Sequence, residues 1–456
     1  MTTKSFENKE STFQWQCQPE AAHWVESIVE HCVECNEELA SFAHALEKET
    51  STRLFDWVDH VAVPSAPTTD DELESIGFVA DAAAARYRIF EHPGAQLPKV
   101  VVQDSSVDTY ALAIKVESID DFLMVRAKGG HIEGSPLSDL RRVCISADNG
   151  VSFWIIERRT SRGMEPVYLE ESHLRHYLAA QELWQTRPRC SDDEDGLMSR
   201  TLALADRLVQ MVGKDMAAWI VLDVERRYWQ SRNTAGQIQK ARQDKLGMGW
   251  ANHDHHTFRS SRRHFPSLVR LFEMLGFHCR ERYYAGAEAG WGAQIMENRS
   301  CGLVLFLDVD LQPDEIGIDF AHHPLPETKT LGTVGLWCAL HGDSILKAGM
   351  HHLEAQFQFD LLRSDLEEKK VHMMQPFSDF AYLKQAFTVG ERWPVERQVV
   401  EKLIEKRLLS KEDAERFIRD GAIGSHLENL QRREGYKGFN QKNVSFIIRK
   451  TDPRLC

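Results

Sequence analysis

Two short runs in the later part of the chain carry side chains suited to holding a metal ion. In His351-His352-Leu353-Glu354-Ala355-Gln356-Phe357-Gln358-Phe359, strand alternation puts His352, Glu354, Gln356 and Gln358 on one face and the mainly apolar remainder on the other. A polar row backed by an apolar row suits a strand that packs on helices with one side and lines a wet cup with the other. From that face His352 and Glu354 can reach one ion. Imidazole plus carboxylate with open positions favours non-haem Fe(II), and also suits Zn(II), Mn(II) or Ni(II). The competing reading of Glu354 is an ordinary salt bridge on a strand.

The second run, His253-Asp254-His255-His256-Thr257-Phe258-Arg259, puts His253, Thr257 and Arg259 on the face of His255. A guanidinium four residues along can clamp a substrate carboxylate through two parallel hydrogen bonds, a catalytic role for Arg259. Arg280 and Arg282 are second candidates, and with Arg262 and Arg263 nearby the plainer reading is a basic surface patch. In Phe320-Ala321-His322-His323-Pro324, His323 is a candidate ligand or proton shuttle, against a plain hydrogen-bonding loop histidine. Asp308 and Asp310 alternate on a strand but lack the spaced oxygen ligands of a calcium loop. Cys32 and Cys35 fall on an amphipathic helix with no second cysteine pair at zinc-ribbon spacing, so they read as small helix residues.

The elements that must position these residues come in two related sets. Trp57 and Asp59-His60 precede Ile76-Gly77-Phe78, as Trp250 and Asp254-His255 precede Leu275-Gly276-Phe277. Gly94-Ala95-Gln96 and Gly292-Ala293-Gln294 follow, then β-rich runs at Val100–Val102 and Leu303–Leu307. Tyr110–Val116 lies against His351–Phe357, and Asn149–Arg158 against Lys442–Lys450. Five pairings in one order argue for internal duplication. The chain therefore divides into residues 1–190, 191–250 with an acidic linker at Cys190–Gly196 and long helices, and 251–456 with a helical insertion near 394–430.

An Asp-His strand, a helix, Gly-Phe and three further strands, repeated, resembles the vicinal oxygen chelate superfamily of glyoxalases, extradiol dioxygenases and hydroxyphenylpyruvate-type dioxygenases. The resemblance spans about two thirds of the chain and rests on the order of short motifs, including Ala113-Ile114-Lys115-Val116 before Asp120-Asp121-Phe122. It implies an α+β fold of two cupped half-barrels built from paired βαβββ units, with long flanking helices, around a divalent metal held by two histidines and a carboxylate. Carried onto this sequence, His255 and His352 take the histidine positions. The carboxylate is expected on the last strand of the unit, where Val444–Lys450 offers none, so the alternatives are Glu354, Glu434 or no metal. In the first half His60 fits the first position, Ala111 occupies the second and only Glu157 lies near the third, which implies a degenerate copy.

The chain has 456 residues, 42% of them hydrophobic and 27% charged, enough for a globular core and too apolar for a disordered chain. A net charge of −14 without a long Lys/Arg run argues against nucleic acid, and no apolar stretch is long enough to span a membrane or serve as a signal peptide. Nine scattered cysteines suggest reduced thiols and a cytoplasmic setting. The expectation is a metal-dependent, dioxygenase-like enzyme, monomeric or homodimeric, acting on a small anionic metabolite such as a 2-oxo acid or catechol. A glyoxalase-type isomerase or lyase, or a non-catalytic binding protein, is the alternative.

Overall fold

The computed structural model describes residues 15–66, 68–81, 87–103, 108–287, 289–440 and 452–454. It opens with helices α1 (Pro19–Cys35) and α2 (Glu37–Thr50), joined at Asn36, whose side chain caps α2 by accepting from the Leu39 amide at 3.0 Å. Ala21, Val25, Val29 and Cys32 recur at helical spacing on the buried side of α1. With Leu39, Phe42 and Leu46 they form the core against the first sheet, where each large side chain withdrawn from water contributes about 1.5–3 kcal/mol.

That sheet is built from β1 (Val58–Val63), α3 (Thr69–Ser75), β2 (Val79–Ala80), β3 (Arg88–Glu91), β4 (Lys99–Val102), β5 (Tyr110–Lys115), α4 (Ile119–Val125), β6 (Leu140–Asp148) and β7 (Val151–Arg158). Its strand order is β2-β3-β4-β1-β5-β7-β6. Each unit starts with a strand, passes through a short helix and returns its last strand parallel to the first, and the two units meet along the antiparallel pair β1·β5. Among the described strands the second unit has one fewer than the first.

Four helices follow: α5 (Glu171–Gln185), α6 (Glu194–Val212), α7 (Lys214–Gln230) and α8 (Thr234–Asp244). The acidic stretch expected as a linker runs from the loop at Cys190–Asp193 into the first turn of α6. Asp193 caps it by accepting from the Gly196 amide at 2.9 Å, and Asp195 reaches across to Arg263 and to His264 at 3.0 Å. Negative side chains there complement the free amides of the first turn.

The second sheet repeats the plan with β8 (His253–Arg259), α9 (Phe265–Met274), β9 (His278–Tyr284), β10 (Trp291–Asn298) and β11 (Leu303–Asp310). After α10 (Thr333–His341) come β12 (His352–Gln356), α11 (Phe359–Glu368), β13 (Ser378–Phe380), β14 (Leu383–Phe387), β15 (Glu391–Trp393), α12 (Arg397–Glu405), α13 (Lys411–Asp420) and β16 (Ala422–Arg432). The order β13-β14-β16-β12-β8-β11-β10-β9, with β15 also on β16, again joins two units along an antiparallel central pair, β8·β12. The molecule is thus an α+β protein of two mixed, open half-barrel sheets with flanking helices.

Three sequence expectations shift. The strand expected to run to Phe359 stops at Gln356, and Gln358 becomes the residue before α11. The helical insertion ends at Asp420 rather than near 430, and the final strand of the unit follows at once. The pairing of Gly94 with Gly292 fails because Gly94 sits between β3 and β4 whereas Gly292 lies within β10. Gly77 and Gly276 do correspond: both end the first helix of a unit at positive φ (+92° and +83°), a conformation glycine adopts without a Cβ penalty.

Candidate metal centre

In the antiparallel pair β8·β12, His255 lies opposite Glu354 and Thr257 opposite His352. In the parallel pair β12·β16, Glu354 lies beside Glu428 and His352 beside His426. Neighbouring positions across a sheet share a face, so His255, Glu354 and Glu428 form a row across three strands, with His352 two residues from Glu354 on the same face. All four are buried. His255 Nε2 contacts Glu354 Oε1, and His352 Nε2 lies 3.4 Å from both Glu354 Oε1 and Glu428 Oε2. Ligand atoms of His352, Glu354 and Glu428 all lie within 4.8 Å of one another.

A second layer fixes these groups. The register shifts between Glu354 and Ala355, so that Asp254 is an extra residue on β8, bulged out of the ladder. Its Oδ1 lies 2.9 Å from His255 Nδ1, which accordingly donates and leaves Nε2 as the free lone pair. Arg432, at the end of β16, grips Asp254 at 3.0 and 3.1 Å, and Gln96 from the first half donates to it at 2.9 Å. His351 and His352 share a hydrogen bond between their Nδ1 atoms at 2.7 Å. Thr257 Oγ1 donates to Glu354 at 3.3 Å and Gln385 Nε2 to Glu428 at 3.0 Å.

Burial lowers His255 to about 4 and His352 well below the usual histidine range, so both rings are neutral, as metal ligands must be. Burial would raise Asp254, but Arg432 and His255 hold its carboxyl well below the ordinary range. Glu354 is pushed well up by burial and by Glu428 beside it, and burial raises Glu428 too. Among the described residues neither carboxylate has an Arg or Lys within 4.0 Å; their ion-pair partners are the two neutral rings. Two buried carboxylates facing two neutral imidazoles, with no protein cation between them, match the charge and donor types of a divalent transition metal.

The cluster opens onto a cavity of about 80 Å3 lined by the rings of Tyr283, Trp291, Phe306, Phe377, Phe387 and Phe439. Arg259 and Asp308 line it as well. Arg259 Nε lies 3.7 Å from Asp308 Oδ2, while Arg259 Nε and Nη1 and Asp308 Oδ1 have no hydrogen-bond partner among the described residues. Burial raises Asp308 to about 7 against the opposing pull of Arg259. A buried guanidinium with free N–H groups is an anion receptor.

The structure thus brings His255, His352, Glu354 and Arg259 to one cavity. It does not bring His323, whose side chain is 74% exposed and whose Nδ1 lies 3.1 Å from the Asp319 carbonyl, because a Pro-bounded loop carries it to the surface. Its neighbour His322 joins Glu273 and Cys279 in an exposed group, but the ring is already engaged by Glu273 at 2.9 Å and Asp319 at 2.7 Å. Glu434 lies in a turn after β16, at positive φ and outside this cavity, with its carbonyl accepting from the Gln18 amide. Arg280 pairs with Glu281 and lies 5.6 Å from the ring of Phe439, a cavity-lining residue, and Arg282 pairs with Asp319; neither lines the cavity itself. Glu428 is the residue that sequence reasoning missed. It sits on the last strand of the unit, where the resemblance calls for a carboxylate, whereas Val444–Lys450 lies outside the described residues.

The first half can be laid on this site by strand register. His60 opposes Ala113 and Ala62 opposes Ala111, and Ala111 and Ala113 lie beside Ser152 and Trp154. Hence His60, Ala111, Ala113 and Trp154 occupy the places of His255, His352, Glu354 and Glu428. The bulge recurs, between Val58 and His60, again at an aspartate. Asp59 meets His60 Nδ1 at 2.8 Å and is gripped by Arg158 at 2.7 and 2.8 Å, as Asp254 is by Arg432.

No family model and no curated protein matches the sequence. Among solved structures, similarity is found to a methylmalonyl-CoA epimerase from Mycobacterium tuberculosis (9% identity, 40% of this chain and 89% of that one, TM-score 0.23). It is also found to a variant 4-hydroxymandelate synthase from Streptomyces coelicolor (13% identity, 88% and 97%, TM-score 0.25). A third is a putative hydrolase from Shewanella frigidimarina (12% identity, 54% and 96%, TM-score 0.30). The fold described above stands on strand order and register: paired units with the last strand beside the first, which is the architecture that the resemblance to the vicinal oxygen chelate superfamily implies.

Proposed function

We propose that the second sheet holds one divalent metal ion at His255, His352 and Glu428, with Glu354 as a fourth donor or as an acid–base group, and that the chain is an enzyme acting on a small oxygenated anion. The observation that carries this is the convergence of four buried donors from three adjacent strands, with no Arg or Lys among the described residues within 4.0 Å of the two carboxylates. Fe(II) is the favoured ion, since two imidazoles and one carboxylate leave positions open; Zn(II), Mn(II) and Ni(II) suit the same donors. When bound, such an ion acts as a Lewis acid toward adjacent substrate oxygens and, as Fe(II), supports oxidation by O2.

The chain's own residues supply recognition and proton handling. Arg259 receives a substrate carboxylate on Nε and Nη1, and Asp308 Oδ1 accepts from a substrate hydroxyl. The six rings favour a flat apolar body, such as an aryl 2-oxo acid or a catechol, and keep water from the reacting atoms. Glu354, with its affinity for protons raised by burial, holds or takes a proton at Oε1. Asp254 keeps His255 in the tautomer that presents Nε2.

A second reading, an isomerase or lyase of glyoxalase type, is favoured by one observation: Glu354 is a carboxylate beyond the three donors that a dioxygenase set requires. Mass spectrometry of protein purified without chelators is the first test. One transition metal per chain is expected, lost in His255→Ala, His352→Ala and Glu428→Ala; no stoichiometric metal, or equal metal in all variants, overturns the centre. Oxygen uptake with aryl 2-oxo acids or catechols then supports the dioxygenase, and solvent-deuterium exchange without oxygen uptake supports the isomerase.

A further inference from the structure

At the outer edge of the second sheet, apart from the buried cluster, three elements bring a second set of donors together. Glu273 lies in the last turn of α9, Cys279 near the start of the outermost strand β9, and His322 on the loop between β11 and α10. None is buried, and one ligand atom from each lies within 4.8 Å of the others. Tetrahedral coordination at about 2.0–2.3 Å needs donors about 3.3–3.6 Å apart, a spacing that surface side chains reach by small rotations. Thiolate, imidazole and carboxylate together select Zn(II), whereas Ca(II) and Mg(II) take oxygen.

The histidine is oriented as a ligand is. Asp319 Oδ2 lies 2.7 Å from His322 Nδ1, which therefore donates and turns Nε2 towards Glu273 Oε1, 2.9 Å away. Arg282 on β9 donates in turn to Asp319 Oδ1 at 2.8 Å and to the Ile318 carbonyl at 2.9 Å, which fixes the loop against the strand. Arg282–Asp319–His322 thus repeats the order of Arg432–Asp254–His255. In both places the free Nε2 meets a glutamate oxygen, Glu354 in one and Glu273 in the other. That contact is what the two donors make when a proton stands between them, and a metal ion takes the proton's place. Glu273 and Asp319 against Arg282 also leave one negative charge uncompensated beside a neutral ring, before the thiol ionises.

We propose that Glu273, Cys279 and His322 bind one Zn(II) ion at the surface, with water as the fourth ligand, as a clasp that ties the β11–α10 loop to α9 and β9. The site does not depend on the reading given to the buried cluster. No cysteine lines the cavity of that cluster, so a sulfur signal reads the surface group whether or not the cluster holds metal.

Cobalt(II), which occupies such sites and reports sulfur through a thiolate-to-metal charge-transfer band, is the probe. Titration of the reduced full chain with Co(II) gives one equivalent of thiolate-bound ion, displaced by Zn(II). Cys279→Ser abolishes the band, and His322→Ala weakens binding by about tenfold or more. Zn(II) raises the melting temperature of the unaltered chain more than that of Cys279→Ser, because one bound ion fewer stabilises the variant. Both side chains lie at the surface, so neither substitution removes core packing. The absence of a thiolate band, its persistence in Cys279→Ser, unchanged affinity in His322→Ala, or equal rises in melting temperature overturns the proposal.

Discussion

The two sheets carry the same device to different ends. In each, a bulged aspartate is clamped by an arginine from the unit's last strand and steadies the next residue, a histidine: Arg158–Asp59–His60 in one, Arg432–Asp254–His255 in the other. Around that core, Ala111, Ala113 and Trp154 in the first sheet stand where the second has His352, Glu354 and Glu428. The first cup is also filled: Trp154 packs with Ala113, Leu140 and Ile156, and Arg142 lies 5.1 Å from its ring. A support scaffold can therefore persist without the ligands it would support, because the buried ion pair is costly to break one partner at a time. Possession of Asp-His is not evidence of a metal; the donors on the other two strands are.

The largest effects expected are those that remove donors. His352→Ala or Glu428→Ala abolishes stoichiometric metal binding, measured by mass spectrometry and by loss of the metal-dependent rise in melting temperature, while His60→Ala leaves both intact. Metal loss in His60→Ala would break the asymmetry between the halves. Next come the scaffolds. Asp254→Asn lowers metal affinity about 10- to 100-fold, as is usual for a group that orients a ligating histidine. Asp59→Asn leaves metal affinity unchanged, yet both substitutions lower stability in urea, by about 3–5 kcal/mol if the arginine is left unpaired. Arg259→Lys, which keeps charge but loses the planar fork, raises KM for a carboxylate substrate about tenfold with a smaller change in kcat.

Much of this plan is legible in the sequence, and the exception is instructive. Asp-His before a helix, Gly-Phe after it, and the alternating polar row of His352 and Glu354 are local patterns whose causes are local: a bulge, a left-handed turn and a strand with two unlike faces. Glu428 was hidden because β16 is central and buried on both faces for nearly all its length, so it lacks the alternation that marks a half-exposed strand. It also follows two amphipathic helices directly, and was absorbed into their insertion. His323 misled for the opposite reason: histidine next to proline on an exposed loop has the chemistry of a ligand and none of the burial.

The smallest effect expected concerns pH and again divides the halves. The buried histidines among the described residues, His255, His256, His264, His341, His351, His352 and His426, all belong to the second half. His341 is not among the proposed metal donors, from which Trp337 and His351 separate it. Its Nε2 donates to the Ile423 carbonyl at 3.1 Å between Trp337 and Trp393, and burial lowers it from 6.5 to about 4. A histidine whose folded pKa lies below its unfolded one binds fewer protons when folded. Its contribution is complete above pH 6.5 and is lost as the pH falls towards 4, amounting to about 3.5 kcal/mol at roughly 1.4 kcal/mol per unit. His341→Gln keeps a donor for Ile423 but cannot titrate. Its urea-unfolding free energy therefore falls less steeply between pH 6.5 and 4.5 than that of the unaltered chain. Parallel pH profiles for the two proteins would show that His341 does not couple acid to the unfolding of the second half.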